Sequence, residues 1–367
     1  MTGPSLFGKL LKRRMGASNS PERTPRKRTN RSRAPSGAAV LPGQIHEAEA
    51  PHGLGRPAQD AKLAEKMFVE DEAAHERWQA VLGNRSVSKL SADELRGLED
   101  TNMPLKHRHA LWKSWFTAPN IGPADLEVDE AAVPEDAAAS IDADLERTRP
   151  QSFGPTERAA LRRVLRAYAA GNPAVGYCQG MNNIAGVFIA LGFDEASTLR
   201  GCYTLLHGCC PGYHDRDLAG LRLDAQVLEE LVVRALPEET RLRLEALDLP
   251  MEVLVSEHFL TLASSSLPLS ATARLWDIIL QEGSPAVFAS FLALLHLYLP
   301  DDKTMAAELK LACEGEEPER VDVFRSRSRQ GIAQDVEVWL REVRRLVPLV
   351  PHKTINQLRF NLAGKKA

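Results

Sequence analysis

The stretch that decides the fold is residues 141–191, which reads IDADLERTRPQSFGPTERAALRRVLRAYAAGNPAVGYCQGMNNIAGVFIAL. Its middle part predicts one long helix, because Pro155 suits a first helical turn and apolar residues then recur at i, i+3, i+4 and i+7. Gly171 can adopt the left-handed backbone conformation in which helices commonly end, so the helix is predicted to stop there. The four apolar positions are Leu161, Val164, Leu165 and Tyr168. The stretch therefore predicts a rigid helix with a loop at each end.

Each of the two loops carries one polar residue that stands out. Arg147 lies in the turn Asp144-x-x-Arg147-Thr148-x-Pro150, and Gln179 lies in Tyr177-Cys178-Gln179-Gly180, at the start of a very apolar helix. From spacing alone, Arg147 is interpreted as half of a surface ion pair with Asp144 at i, i+3. Gln179 is likewise interpreted as a cap for backbone groups. Spacing therefore leaves a catalytic role for both residues open.

The rest of the chain also has the patterns of helices. Apolar residues recur at helical spacing, and no segment alternates with period 2 between turn signals. No internal repeat is present. The predicted fold is therefore all-α, with many helices. Helices are predicted at residues 61–82, 90–100, 108–116, 223–237, 252–262, 274–283 and 286–300, with a last one at 334–347.

Four motifs in these segments resemble those of the TBC domain, the GTPase-activating domain for Rab-type small GTPases. Two are the loop motifs, Ile141-x-x-Asp144-x-x-Arg147-Thr148-x-Pro150 and Tyr177-x-Gln179-Gly180-Met181-Asn182. A third, Arg-x-x-x-Trp, is matched by Arg108 and Trp112, and the fourth is the stretch 264–283. The motifs follow the order of the family and lie within residues 98–300. Four motifs in order make a strong resemblance, whereas one alone would be weak.

The resemblance implies an all-α, multi-helix TBC-type domain that activates a GTPase. By motif position, Arg147 is implied to be an arginine finger and Gln179 a glutamine finger, both acting on GTP that another protein holds. The implied partner is a Rab-type small GTPase in its GTP state. That partner carries GTP and Mg²⁺, so no cofactor of the chain's own is expected. The implied supporting residues are Asp144, Thr148, Pro150, Tyr177, Asn182, Arg108 and Trp112.

The supporting residues have different expected roles. Asp144 is expected to orient Arg147, Tyr177 to brace its loop, and Asn182 to tie the two loops together. The Arg-x-x-x-Trp pair is interpreted as structural, because the tryptophan buries area and Arg108 can pair with a carboxylate at the edge of the core.

Asn102-Met103-Pro104 stands where the family usually has Gly-Ile/Val-Pro, and three further positions depart from the family pattern. Arg149 stands where an aromatic residue is common, so a second guanidinium either aids docking on an acidic surface or competes with Arg147. His258 and Ala263 stand where Trp and Phe are expected. These substitutions change either local packing or the surface that faces the GTPase. The alternative function is therefore a catalytically silent TBC scaffold or adaptor that binds a GTPase or another trafficking partner. The intact finger positions favour activity.

Residues 1–57 are expected to be a disordered basic tail. Residues 1–34 alone contain ten Lys/Arg and one acidic residue, in a chain of net charge −3. Residues 5–15 have the pattern of a short basic amphipathic helix, which is typical of peripheral contact with an anionic membrane. The tail also fits a nuclear import signal, an organelle transit peptide or a bland solvated segment. On the tail alone, a nuclear adaptor is a remoter alternative.

The remaining chain is divided into a TBC domain at residues 58–320 and a C-terminal helical segment at 321–367. An acidic insert at residues 120–140 belongs to a segment without Lys or Arg and is interpreted as mobile. As a hypothesis, its carboxylates pair with Arg147 or with the basic tail and damp activity until a partner displaces them.

Composition and motifs disfavour several other functions. No apolar segment reaches the length of a membrane span, and five cysteines without regular spacing fit a reduced intracellular protein. No Gly-x-x-x-x-Gly-Lys-Ser/Thr loop occurs, so the chain is not expected to bind GTP itself. The run Cys202, His207, Cys209, Cys210 and His214 lacks the paired arms of a zinc site. We therefore expect a cytoplasmic protein, peripheral on endomembranes at most, that binds neither metal nor nucleic acid.

Overall fold

The computed structural model describes residues 72–91, 94, 95, 98, 103–118, 121–301, 304 and 317–364. The predicted basic tail, with its membrane helix at 5–15, lies outside the described residues, as does the predicted first helix before Glu72. Within the described part all regular elements are helical, so the all-α prediction is confirmed. None of the helices described there is long and apolar enough to cross a bilayer.

Six helices of the described part lie before residue 210. They are α1 (Glu72–Leu82), α2 (Leu105–Trp115), α3 (Glu135–Leu145), α4 (Pro155–Gly171), α5 (Met181–Ala190) and α6 (Glu195–Tyr203). Helix α6 continues into a π-helical turn, and shorter 3-10 turns lie between the earlier helices. These turns are Thr204–Cys209, Val87–Lys89, Pro123–Leu126 and Glu130–Ala132.

The helices after residue 210 form the remainder of the fold. They are α7 (Ala219–Ala235), α8 (Glu238–Leu247), α9 (Met251–Thr261), α10 (Leu269–Glu282), α11 (Ser284–Tyr298), α12 (Glu317–Gln334), α13 (Val336–Leu346) and α14 (His352–Gly364). A 3-10 turn, Val347–Leu349, connects α13 to α14.

Helix α4 is the centre of the first group of helices. It packs against α3, α5 and α6. The helix begins at Pro155, as predicted, and the four predicted apolar positions are all buried. The apolar stripe of α4 therefore supports both motif-bearing loops from one side.

The prediction that Gly171 stops α4 in a left-handed conformation is wrong. Gly171 is the last helical residue, and the cap is Asn172, whose Nδ2 donates to the Tyr168 carbonyl at 2.9 Å. A Cβ on Gly171 would lie 2.5 Å from the hydroxyl of Tyr203. The glycine is therefore required by the close approach of Tyr203, not by a turn.

Helix α11 is the centre of the second group. Every residue from Ser284 to Leu295 is buried, as expected for a helix that is apolar on all sides. It packs against α10, α12 and α13. Trp339 of α13 is fully buried and donates from Nε1 to the Ser290 carbonyl at 3.2 Å. Helix α9 contacts α5, α7 and α11, so it joins the two groups.

The prediction that the helix at 334–347 is the last one is wrong, because α14 follows it. Helix α14 packs against α7, where Arg359 pairs through two nitrogens with the carboxylate of Asp224 at 2.8 and 2.6 Å. Only Ile355 and Leu358 of α14 are buried, which explains its weak apolar periodicity. The charged contact, which joins residues far apart in sequence, holds this helix in place.

The interpretation of the acidic insert as mobile is also wrong. Two 3-10 turns and then α3 occupy residues 123–145. Ala137, Ile141 and Asp144 form the buried face of α3, at the i, i+4 and i+7 spacing of a helix. Ala137 and Ile141 therefore pack against the core, and the acidic residues of α3 other than Asp144 lie outside this buried face.

The two departures just before the fourth motif, His258 and Ala263, both concern packing. His258 is 6% exposed and Ala263 is fully buried. The Ser290 hydroxyl donates to the Val287 carbonyl at 2.8 Å, so the His258 ring donates from Nε2 to the Ser290 oxygen, also at 2.8 Å. Neither position belongs to an exposed surface. The two substitutions therefore affect local packing and not a surface that a GTPase could contact.

Candidate functional site

The carboxylate of Asp144 connects the two motif-bearing loops. Asp144 lies in the last turn of α3 and is 1% exposed. One carboxylate oxygen, Oδ2, accepts a hydrogen bond of 2.5 Å from the Tyr177 hydroxyl, while Oδ1 pairs with the guanidinium of Arg147. Burial raises the pKa of Tyr177 well above its ordinary value, so its hydroxyl stays a donor. A buried charge thus has a partner from each loop.

Arg147 combines an anchored side chain with exposure to solvent. Its side chain is 41% exposed although the carboxylate that it pairs with is buried. The ion pair at i, i+3 therefore exists, but it is not the surface pair that spacing alone predicts. The guanidinium is held at the surface by a group inside the protein. Pro150, three residues further on, is exposed.

The turn around Arg147 is held by backbone and hydroxyl hydrogen bonds. Thr148 is fully buried, and its hydroxyl donates to the Asp144 carbonyl at 2.7 Å. Arg149 has a left-handed backbone with φ of 44°, and its carbonyl accepts from the amides of Ser152 and Phe153 at 2.9 and 3.0 Å. The chain therefore reverses at Arg149, directly after the candidate finger.

Asn182 joins this turn to the second loop. Its Nδ2 donates to the Thr148 hydroxyl oxygen at 2.8 Å, and its Oδ1 accepts from the Gly180 amide at 3.1 Å. All of these polar groups are buried, where hydrogen bonds must be satisfied. The loops of Arg147 and Gln179 are thus fixed to each other by two connections, Asn182 to Thr148 and Tyr177 to Asp144.

Gln179 precedes α5 and is partly exposed. Its amide oxygen, Oε1, is buried and has no hydrogen-bond partner in the described part of the chain. A buried amide oxygen without a partner is uncommon, because it loses its hydration without compensation. The Gln179 loop therefore contains an unsatisfied hydrogen-bond acceptor.

Gly180 was not among the residues singled out for function, yet it shapes the Gln179 loop. Its φ is 115°, a backbone conformation that disfavours any side chain. A Cβ at this position would lie 2.8 Å from the Leu260 carbonyl oxygen on α9. The sequence indicated this role only through the position of the glycine next to Gln179 in the motif. The steric conflict itself depends on Leu260 of α9, which comes 80 residues later in the sequence.

Arg108 and Trp112 lie in a separate structural cluster. Arg108 is fully buried and donates from Nε and a terminal nitrogen to Asp277 at 2.9 and 2.8 Å. Trp112, also fully buried, donates from Nε1 to the same carboxylate at 2.8 Å. This cluster fixes α2 to α10, and it is not part of the linked pair of loops.

The cysteine and histidine run at 202–214 does not form a metal site in the part of the chain that the structure describes. Cys202 and Cys209 are buried, and burial raises the pKa of each thiol to about 12. His214 is also buried and contacts the Leu260 carbonyl through Nε2 at 2.8 Å. These residues serve packing.

Comparison with known proteins gives consistent matches to one family. The model of the Rab-GTPase-TBC domain matches residues 123–302. Growth hormone-regulated TBC protein 1 of Homo sapiens is 32% identical over 263 residues, which are 67% of this chain and 76% of the human protein. The protein of that name in Xenopus laevis is 35% identical over 164 residues, 43% of this chain and 48% of that protein. The chain therefore spans about half the length of the Xenopus relative.

The fold agrees with a solved structure. The crystal structure of the Chlamydomonas flagellar RabGAP TBC domain matches with a TM-score of 0.56 at 23% identity, over 80% of this chain and 97% of that one. The helical architecture is that of a TBC-type domain. By the extent of its similarity to the human relative, the chain belongs to the Rab-GTPase-TBC domain family.

Proposed function

We propose that this chain is a GTPase-activating protein for a Rab-type small GTPase in its GTP state. In this proposal Arg147 is the arginine finger and Gln179 the glutamine finger. The chain activates a partner enzyme and has no substrate turnover of its own. Its cellular role would be the regulation of vesicle traffic, from the cytoplasm or from the periphery of endomembranes.

The proposed chemistry addresses two obstacles to GTP hydrolysis. Negative charge spreads over the γ-phosphate oxygens in the transition state, and an arginine supplied by a second protein accelerates the reaction about 10³- to 10⁵-fold by stabilising it. The attacking water must also be aligned. A carboxamide can accept a hydrogen bond from that water and donate another, so Gln179 fits this role. GTP and Mg²⁺ would both be held by the partner.

The observation that carries the proposal is the state of Arg147. A guanidinium that is 41% exposed but anchored on the buried carboxylate of Asp144 is oriented before any partner binds. Such preorganisation reduces the ordering that the transition state requires. The connection from Thr148 to Asn182 and the unpartnered amide oxygen of Gln179 support a second functional group on the neighbouring loop.

The test is a single-turnover GTP-hydrolysis screen across a panel of purified Rab proteins. With the responsive Rab, Arg147→Ala should remove most of the acceleration, about 10³-fold for an arginine finger. Gln179→Ala should also slow hydrolysis, and neither variant should greatly weaken binding to the GTP-loaded Rab. Arg163→Ala is the matched control, because Arg163 is 53% exposed and paired with Glu195 on the outer side of α4.

Two outcomes would count against the proposal. If both finger variants kept the wild-type rate, the site would be assigned wrongly. If no Rab responded although one bound, the scaffold alternative would replace the proposed activity.

A further inference from the structure

The C-terminal end of the chain differs in charge from the rest. Residues 338–367 contain seven Lys/Arg and one acidic residue, Glu342, in a chain whose net charge is −3. Among the described residues, five large hydrophobic side chains are exposed, and three of them lie in this same segment. These three are Val338, Leu349 and Phe360. Basic and exposed apolar residues therefore occur together at this end.

One face of α13 collects several of these residues. Val338, Arg341 and Arg345 are spaced i, i+3 and i+7, so they lie on one side of the helix. All three are exposed, while the opposite side is buried against the core. Leu349, in the following 3-10 turn, is 49% exposed and extends the same line. We name this line of four residues the α13 stripe.

Glu342 neutralises one of the two cations of the stripe, Arg345. Glu342 is 12% exposed and is shared by His296 at 2.6 Å and Arg345 at 2.6 Å. Glu337 is engaged by Arg274, with a second contact of 2.8 Å between the guanidinium and Oε2. With Glu337 and Glu342 occupied in this way, Arg341 is the cation of the stripe that pairs with neither carboxylate. Lys353, exposed in the first turn of α14, adds a cation beyond the 3-10 turn.

We propose that the α13 stripe and Lys353 form a contact surface for an anionic lipid membrane. The cations would interact with lipid headgroups, while Leu349 and Val338 would enter the interfacial layer. This surface is separate from the predicted membrane helix at residues 5–15, and it does not depend on the fingers.

The size and pattern of the surface favour a membrane over a protein partner. Eleven residues of α-helix are about 16 Å long, and the stripe is one residue wide. A stable protein interface covers about 800 Å² on each partner and usually has an apolar centre with a charged rim. Here the apolar side chains stand at the two ends and the cations between them. A surface that presents exposed cations beside exposed apolar side chains is suited to a flat anionic layer, with binding that weakens as salt rises.

The experiment measures binding of the full chain to vesicles of phosphatidylcholine alone and of phosphatidylcholine with 30% phosphatidylserine, by co-sedimentation at low salt. The test variant is the double substitution Arg341→Glu, Leu349→Ser. The matched control is Val233→Ser, Arg234→Glu, because these two residues are also exposed, on α7. Every protein carries the same N-terminal tail, so a difference between the variants reports the stripe. Thermal unfolding verifies that each variant is folded.

The proposal predicts wild-type binding to the phosphatidylserine vesicles alone, and a loss of about tenfold or more in the test variant, since each cation near an anionic surface contributes about fivefold. The control should bind within twofold of wild type. Equal loss in both variants, equal binding by all three, or no wild-type binding at low salt would overturn the proposal. A test variant that binds vesicles normally but shifts from dimer to monomer would assign the stripe to a second copy of the chain instead.

Discussion

The hydroxyl of Tyr177 donates a 2.5 Å hydrogen bond to Asp144, which precedes it by 33 residues. The other oxygen of that buried carboxylate pairs with Arg147. Tyr177 of the second loop therefore contacts the same carboxylate that anchors Arg147 in the first loop. The position of the candidate arginine finger is therefore coupled to the loop that carries Gln179. This coupling gives the candidate site several properties that can be measured separately.

The charge of Asp144 should matter more than its hydrogen bond to Tyr177. Asp144→Asn keeps an acceptor for the hydroxyl but removes the charge that holds Arg147. We expect it to slow the GTP hydrolysis that this chain stimulates on the responsive Rab by about tenfold, corresponding to about 1.4 kcal/mol in activation free energy. Tyr177→Phe leaves the Asp144–Arg147 pair in place and should slow hydrolysis less. Single-turnover rates with the responsive Rab check this order, and the reverse order would contradict it.

Gly180 should be required for both the fold and the Gln179 loop. Gly180→Ala adds a Cβ 2.8 Å from the Leu260 carbonyl oxygen and also disfavours φ of 115°. We expect a loss of about 2 to 3 kcal/mol in the free energy of unfolding, measured with urea. Gly83→Ala is the control, because Gly83 also has a positive φ of 53° but no atom within 4 Å of the added Cβ. Equal losses in both variants would mean that the contact with Leu260 is unimportant.

Removing the carboxylate of Asp277 should destabilise the fold strongly. Asp277→Ala leaves the fully buried guanidinium of Arg108 and the indole N–H of Trp112 without this partner. We expect a loss of about 3 to 5 kcal/mol of stability, as for one removed partner of a buried ion pair. Glu195→Ala breaks the exposed pair with Arg163 and should change stability by less than about 1 kcal/mol. Comparable urea midpoints for the two variants would contradict the structural role of the cluster.

His258 should make stability fall in acid. Burial lowers the pKa of His258 from 6.5 to about 3, so the unfolded chain binds a proton that the folded chain does not. The contribution of His258 to the free energy of unfolding is therefore fully present above about pH 6.5. It decreases as the pH falls from 6.5 towards 3, by about 1.4 kcal/mol per pH unit.

The measurement is the free energy of unfolding at several pH values, compared with His258→Gln. Burial also lowers the pKa values of His107, His109 and His207, so only the difference between wild type and variant reports His258. The variant should lose less stability between pH 7 and pH 5 than the wild type. Parallel curves would show that His258 does not contribute.

Local patterns predicted the elements better than their connections. The period of Leu161, Val164, Leu165 and Tyr168 predicted α4 because all four lie on one face of one helix. The acidic insert was misread because Val133 and Ala137 are the only buried hydrophobic residues among its described residues, a small apolar fraction among carboxylates. Helix α14 was missed for a related reason, since its position depends on the Arg359–Asp224 pair, 135 residues apart.

By itself, the sequence determined the all-α class, the family and the order of the motifs. The class follows from residue spacing along each helix, and the family from the resemblance of motifs that each lie within a short stretch, where neighbours in sequence are neighbours in space. The tertiary structure decided that Asp144 is buried, that it has partners from both loops, and that Gly180 must pass close to Leu260. Those relationships depend on helices that meet only after folding, because burial and hydrogen bonding between distant residues are set by how the whole chain packs.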